Sequence, residues 1–380
     1  MKDIIEKNFE SQLRFLEQVV EIDSGSSNIK GVNTVSEIIK QEFIELGFAV
    51  TLIPYEKAGN CLIADFKNDE RKIVLLGHMD TVFPDGTAKK RPFTIVEGKA
   101  YGPGVLDMKG GISQIVFALK ALKEQGVLLN RIQVLLVGDE EVGHEYSDVV
   151  EVIKELSKTT DYVFCCESGR IDGKLVTGRK GVAGLTFKTY GKSAHAGNEY
   201  SKGINAITEL AHKIVSIQSF TEPNLSLTIN PGYVSGGGAI NIVPEFAEAG
   251  FDIRIEDLDR YSKFEEALKV LCVKTDIPGT RCDYTLRLEY PPMNHNEHTN
   301  KMLDLVNRVC KDKGYPLTEV CAVGGGADSS FFAQFGVPVL CGFGPKGEYN
   351  HTAEEYILID GLKERTSFLA ECIKHIENLQ

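Results

Sequence analysis

The 380-residue chain has no C-x-x-C pair, and its nine cysteines, at 61, 165, 166, 272, 282, 310, 321, 341 and 372, are odd in number. That usage suggests neither a disulfide framework nor a thiolate zinc site, and a reducing compartment fits it best. No run of about 20 apolar residues occurs, so no membrane-spanning helix is expected. The first residues, Met1-Lys2-Asp3-Ile4-Ile5-Glu6-Lys7, alternate charged and apolar side chains and lack the continuous apolar stretch of a signal peptide. A cytoplasmic protein is therefore expected. An excess of basic charge is missing as well: the net charge is −12, which argues against nucleic acid or an anionic membrane as the principal partner. There is no internal repeat or low-complexity tract. What remains is an ordinary globular composition, 42% hydrophobic and 25% charged, in a chain long enough for two domains with a core each.

Residues 3–21 place Ile4, Ile5, Phe9, Leu13, Phe15, Leu16, Val19 and Val20 at near-helical spacing, and 33–46 repeats the pattern. Strands are expected at 48–54, 60–66 and 72–77, followed by a long loop from Val82 to Gly104, of the kind that is usually functional. A helix over 112–122 follows Gly110-Gly111, which allow close backbone approach. Further strands are expected at 131–137 and 161–166. Strands alternating with helices, each strand ending in a polar cluster, point to a mainly parallel sheet with its site along one edge. The pattern changes near Arg179. Strands at 182–190, 226–234, 247–255 and 280–289, with helices at 204–217 and 260–273, follow the β-α-β-β-α-β order of a ferredoxin-like unit. After Tyr290-Pro291-Pro292, helix and strand patterns resume at 299–311, 318–323, 328–335 and 337–341, and an amphipathic helix at 359–378 closes the chain. The expected class is α/β, with a first domain split into 1–178 and 291–380 by an inserted α+β domain at 179–290.

Gly77-His78-Met79-Asp80-Thr81-Val82 follows the apolar run from Lys72 to Leu76, which sets His78 and Asp80 at or just past a strand's carboxyl end. Open α/β sheets place their chemistry there. In extended backbone, residues two apart point to the same side, so the Asp80 carboxylate can approach the His78 ring, fix its tautomer and leave the other nitrogen for a metal. A lone histidine after a strand is more often a packed residue; its companions give it weight. Asp107, the pair Glu140-Glu141 and Glu167 form further clusters, and His351 lies in Tyr349-Asn350-His351-Thr352. Carboxylates mixed with imidazoles suit Zn²⁺, and also Mn²⁺ or Co²⁺. A single Asp can bridge two ions. Paired acids more often sit on a solvated loop, but here one carboxylate can bind metal while its neighbour takes a proton from the activated water. Gly324-Gly325-Gly326-Ala327-Asp328 lacks the third glycine of the dinucleotide fingerprint and has no P-loop lysine, so no nucleotide is expected. His144, His212, His295, His298 and His375 have no ligand-like context and are read as structural, and Cys165 and Cys166 as core.

Five segments in order resemble the motifs of the M20 family of metallopeptidases and related amidohydrolases, over nearly the whole chain. They are Gly77-His78-Met79-Asp80-Thr81-Val82, Gly102-Pro103-Gly104-Val105-Leu106-Asp107-Met108-Lys109-Gly110-Gly111, Asp139-Glu140-Glu141-Val142-Gly143, Gly191-Lys192-Ser193-Ala194-His195-Ala196-Gly197 and His351-Thr352-Ala353-Glu354-Glu355. The resemblance implies a zinc-peptidase-like three-layer catalytic domain with an inserted ferredoxin-like dimerisation (lid) domain. It implies two Zn²⁺ per subunit, with His78 and Glu167 on one, Glu141 and His351 on the other and Asp107 on both. Glu140 is then the base and Asp80 supports His78. It also implies a homodimer through the inserted domain, in which His195 supports the developing oxyanion in the partner subunit's site. Arg254 resembles the arginine that grips the substrate's carboxylate, a task suited to its planar fork, with Asn241 beside it. Gly326 lies in a segment resembling one that lines the substrate pocket in carboxypeptidase G2-like proteins, where Ala327 replaces a threonine and removes a hydroxyl.

The reaction implied is hydrolysis of an amide or peptide bond next to a free carboxylate by metal-activated water, on a small peptide or N-acyl amino acid. Glu140 takes the water's proton and passes it to the leaving amine. Glu rather than Asp at position 167 resembles the carboxypeptidase and deacylase branch more than the aminopeptidase branch. The rival of the same chemistry is an N-acyl-amino-acid deacylase. A rival of another class is a metal- or peptide-binding protein without turnover, against which the intact Glu140 argues.

Overall fold

The computed structural model describes residues 1–68 and 70–377. They form two compact units: Met1–Gly178, Met293–Ala322 and the chain from Ala327 onward make up the first, and Arg179–Pro292 with Val323–Gly326 the second. Among the described residues no helix is long and apolar enough to cross a membrane.

The first unit holds a six-stranded sheet in the order Ala49–Ile53, Cys61–Asp65, Ile132–Val137, Lys72–His78, Thr160–Cys165, Val339–Leu340. From Ile132–Val137 onward the strands are parallel. The first two pair antiparallel, so the sheet is mixed where a mainly parallel one was expected. The connection between them is too short for the crossover that a parallel neighbour requires. Every residue of Lys72–His78 and of Ile132–Val137 is buried, as befits parallel strands covered on both faces. The helix Gly110–Glu124 feeds Ile112, Ile115, Val116, Leu119 and Leu122 into the same core as helices Lys2–Val20 and Ile359–Glu377. Its glycine start is needed, since a methyl group on Gly111 would run into the Cys166 carbonyl oxygen. The closing helix was expected to reach residue 378, which lies outside the described residues.

The stretch from Val82 to Gly104 is not the irregular loop its composition suggests. It contains the helix Thr87–Lys90 and a hairpin of Thr94–Val96 with Lys99–Tyr101. That hairpin joins Tyr356–Leu358 and Gly347–Glu348 in a second, antiparallel sheet. Strands of two or three residues are too short for alternation to show in a sequence. Their pairing sets the loop around His351 beside the segment that leads to Asp107.

The second unit is a four-stranded antiparallel sheet in the order Leu227–Gly236, Phe246–Ile255, Gly181–Tyr190, Arg281–Tyr290, the strand order of a ferredoxin-like fold. Along Gly181–Tyr190 burial alternates, and Leu185 and Phe187 share a core with Leu210, Ile217, Phe264 and Leu268 of the two helices. Those helices, Ala206–Gln218 and Leu258–Val273, begin where the side chains of Asn205 and Asp257 accept the N–H groups of Thr208 and Arg260 at 3.0 and 2.9 Å.

Candidate functional site

Parallel pairing sets His78 opposite Val137 and Leu76 opposite Cys165, so three strands end side by side. Their carboxyl ends run into Met79-Asp80, Asp139-Glu140-Glu141 and Glu167, which all open on the same edge of the sheet. The buried His78 ring has Nε2 3.3 Å from both Asp107 Oδ1 and Glu167 Oε1. Its Nδ1 lies 3.0 Å from the Asp80 carbonyl oxygen and 3.4 Å from Asp80 Oδ1. The backbone of Asp80 is thus nearer the ring than its carboxylate. That carboxylate, fully buried, accepts the N–H groups of Glu140 and Glu141 at 3.1 Å each and the Ser26 hydroxyl at 2.7 Å. Asp80 therefore braces the acid pair as well as the imidazole.

Asp107 stands between the two histidines. Its Oδ1 faces His78, while Oδ2 lies 3.2 Å from His351 Nε2 and accepts from Asn350 Nδ2 at 2.8 Å. His351 Nε2 is also 3.3 Å from Glu141 Oε2. Two ligand groups result, His78/Asp107/Glu167 and Asp107/Glu141/His351, each with one donor atom per residue and all donors within 4.8 Å of one another. Asp107 is common to both. The segment carrying it is pinned by Glu355, whose buried carboxylate accepts the N–H groups of Gly104, Leu106 and Asp107 at 3.0, 2.8 and 2.9 Å. Tyr349 and His351 both have left-handed backbone, φ 67° and 63°, a conformation that costs on the order of 1–3 kcal/mol per residue. Between them Asn350 donates to Asp107 and, at 2.6 Å, to Ser168 Oγ. Ser26, Asn350 and Glu355 had no assigned part in the sequence reading. Asn350 and Glu355 sit in segments singled out there, but nothing local reveals their bonds.

Burial raises the Glu140 carboxyl well above the carboxylate range, with Glu167 and Glu141 adding to it, and burial raises Glu141 likewise. Asp107 stays well below that range despite its burial, because both histidines donate toward it. Burial alone would lower the His78 imidazole, but Glu167, Asp107 and Asp80 hold it well above its usual value. Hydrogen bonds to Asp107 and Glu141 push His351 up to about 11. The fit to cations follows from the donors. A carbonyl oxygen can only accept, so His78 Nδ1 carries a proton, and Nε2 turns toward two carboxylate oxygens. Unless an ion lies among them, a proton on Nε2 answers these oxygens, and a cation held by the same three donors would take that proton's place. Glu141 Oε1 is buried without a hydrogen-bond partner among the described residues. Nitrogen and oxygen donors without sulfur suit Zn²⁺, Mn²⁺ or Co²⁺.

His195, Asn241, Arg254 and Gly326 belong to the second unit. Ala194-His195 pairs with Ile242-Val243, and the exposed His195 accepts the N–H groups of Gly197 and Asn198 at Nδ1, both at 3.1 Å, so its proton sits on Nε2. The Asn241 carbonyl accepts from the Ala196 N–H at 2.9 Å. Arg254 has its fork engaged by Asp252, Nε at 3.0 Å and Nη2 at 2.8 Å, while Nη1 donates to the Gly324 carbonyl at 3.2 Å. Gly326 lies against the Tyr290 ring, where any side chain would collide, and its carbonyl accepts from Arg179 at 2.9 Å. Ala327 is fully buried. In the first unit, His144 is buried between Asp139 and Asp328, and these carboxylates overcome the opposing effect of burial and raise its imidazole to about 10.

A family model described as Peptidase family M20/M25/M40 matches residues 74–375. Carboxypeptidase G2 of Pseudomonas sp. (strain RS-16) is 30% identical over 370 residues, spanning 95% of this chain and 88% of the relative. Acetylornithine deacetylase of Pasteurella multocida is 28% identical over 287 residues, 67% of this chain and 73% of the relative. The crystal structure of a tripeptidase from Staphylococcus aureus matches with a TM-score of 0.77 at 26% identity, over 97% of this chain and 98% of that one.

Proposed function

Because the chain belongs to peptidase family M20/M25/M40, and so is a metal-dependent hydrolase of peptide and related C–N bonds, we propose that it is a dinuclear zinc carboxypeptidase. It cleaves an amide or peptide bond next to a free carboxylate, in a small peptide or an N-acyl amino acid. The observation that carries this reading is the Asp107 carboxylate, whose two oxygens face two different histidines at 3.3 and 3.2 Å. His78 and Glu167 would hold one cation, Glu141 and His351 the other, and Asp107 would contribute to both. Cations held there would supply polarisation of the scissile carbonyl and a more acidic bound water. Glu140 belongs to neither ligand group, and it takes the water's proton and returns it to the leaving amine.

The first unit is the catalytic domain and the second the dimerisation lid. The edge strand Leu227–Gly236 leaves Tyr233 and Val234 51% and 65% exposed, which supports a homodimer through this unit. His195 then offers Nε2–H to the oxyanion in the partner's site. Arg254 exchanges Asp252 for the substrate carboxylate, with Asn241 and the backbone of Gly326 lining the pocket. Among the described residues no cysteine forms a disulfide, which supports a reducing, cytoplasmic setting.

A second reading, an N-acyl-amino-acid deacylase, is supported by the similarity to acetylornithine deacetylase. A panel of C-terminal dipeptides and N-acetyl amino acids, assayed with added Zn²⁺, separates the two. Release of carboxyl-terminal residues from dipeptides supports the carboxypeptidase, and turnover of acetyl substrates alone assigns the deacylase. Glu140→Gln should lower kcat by about 10²–10⁴-fold. Full activity in that variant would refute the mechanism.

A further inference from the structure

The turn that carries Glu140 and Glu141 is held from two sides, and only one of them is Asp80. On the other side lies His144, 7% exposed, which has no part in either ligand group. The turn ends in two consecutive left-handed residues, Gly143 at φ 61° and His144 at φ 56°. The second of these has a side chain, so the conformation has to be held in place. The His144 N–H donates to the Asp139 carbonyl oxygen at 3.1 Å, and its Nδ1 lies 3.0 Å from Asp139 Oδ1, which also accepts the Ser147 hydroxyl at 3.0 Å. Backbone and ring of one residue thus close a loop around the acid pair. The other ring nitrogen, Nε2, lies 2.6 Å from Asp328 Oδ1. Phe331, on the helix Ser329–Gln334 that follows Asp328, packs its ring 5.8 Å from the imidazole, centroid to centroid.

We infer that His144 is a positioning residue, an imidazolium clamp between Asp139 and Asp328 that sets where the Glu140 carboxylate stands. With a carboxylate at each ring nitrogen, both nitrogens donate, and the ring ties the catalytic turn to a helix remote in sequence. Asp80 fixes the backbone N–H groups of Glu140 and Glu141 from the sheet side. His144 fixes the residue before the pair and closes the turn after it. A displacement of the base by about 1 Å costs on the order of 100-fold in rate. The clamp therefore acts on kcat and leaves substrate affinity alone.

This inference rests on the reading of Glu140 as the base, and the test separates the two. His144→Ala, Asp328→Ala and the double variant are assayed at saturating Zn²⁺ on the best substrate of the panel, beside Glu140→Gln, with folding checked by circular dichroism. Each single variant should lose about 10–100-fold in kcat with KM changed by less than about threefold. The double variant should lose no more than the worse single, because the two residues act as one unit. A purely structural role predicts a lower melting temperature with wild-type kcat in the folded enzyme, and that result overturns the inference. Independent, multiplicative losses in the double variant overturn it too. If His144→Ala does not fold, Asp328→Ala tests the same bond from its other end, and wild-type kcat there is equally fatal. Glu140→Gln with full activity would instead remove the base reading itself.

Discussion

Replacing Asp80 with asparagine changes one oxygen into an amide group at a fully buried position. In the native protein Oδ2 accepts the Ser26 hydroxyl and the Glu141 N–H at 2.7 and 3.1 Å, and Oδ1 accepts the Glu140 N–H at 3.1 Å with His78 Nδ1 at 3.4 Å. The amide oxygen can serve only one side. Placed at Oδ2 it keeps Ser26 and Glu141, and the NH₂ group then confronts the Glu140 N–H and the His78 ring, donor against donor. An orphaned buried N–H costs about 1–3 kcal/mol, and the surviving bonds lose their charge assistance, so the first unit should lose roughly 2–4 kcal/mol. Despite its burial, Asp80 is held below the ordinary aspartate value by His78, Ser26 and Glu141. Its folded-state pKa is depressed, so its contribution is present at neutral pH and is lost only as pH falls below the range of a free aspartate. Urea unfolding at pH 7.5 or thereabouts reads the loss, and the same comparison repeated in acid should show the gap between variant and wild type closing. The freed Glu140 backbone also predicts a kcat/KM lower by about 10–100-fold. An Asp80→Asn protein with unfolding free energy within about 0.5 kcal/mol of wild type and full activity would refute the argument that this carboxylate braces the acid pair.

Glu355→Ala orphans three backbone N–H groups around Asp107, and calorimetric titration should show Zn²⁺ affinity lower by about 10–100-fold; an unchanged isotherm contradicts this role. The His144 imidazole, raised to about 10 between Asp139 and Asp328, contributes stability that is fully present below the ordinary imidazole value and is lost as pH rises through about 10. The melting temperatures of wild type and His144→Gln should therefore converge between pH 6.5 and pH 10, roughly; parallel profiles count against the charge on that ring. Gly111→Ala drives a methyl group into the Cys166 carbonyl and should destabilise by about 1–3 kcal/mol in thermal unfolding, and a neutral effect would mean that the helix start has room to shift.

The strands that carry the site were legible because each is a run of buried apolar side chains ending in a polar cluster, and that pattern sets His78, Glu140 and Glu167 at strand ends, whereas the parts assigned to them came from the family resemblance. Helix starts at Ala206 and Leu258 were legible to within two residues, and the capping side chains of Asn205 and Asp257 fix them. The hairpin between Thr94 and Tyr101 was not, because strands of three residues show no period and their partner, Tyr356–Leu358, is remote in sequence. The same distance hid the bond from His144 to Asp328, 184 positions apart, and the bonds of Glu355 to the Asp107 segment. A residue called structural on its local context is thereby tied to the turn that carries the acid pair. Asp252 is a different case. Residues two apart on a strand face the same side, so its grip on Arg254 was readable in Phe251-Asp252-Ile253-Arg254 and was passed over.

Everything proposed for this site depends on imidazole and carboxylate groups from distant parts of the chain holding two cations, with Asp107 shared between them. The direct test is to strip the protein with chelator, add Zn²⁺ and count bound ions by native mass spectrometry in wild type, His78→Ala and His351→Ala. Wild type should bind two ions per chain, and each variant one, at Zn²⁺ concentrations that just fill the wild-type sites. A wild-type chain that holds a single ion, with His351→Ala indistinguishable from it, would rule out a shared two-cation centre at Asp107.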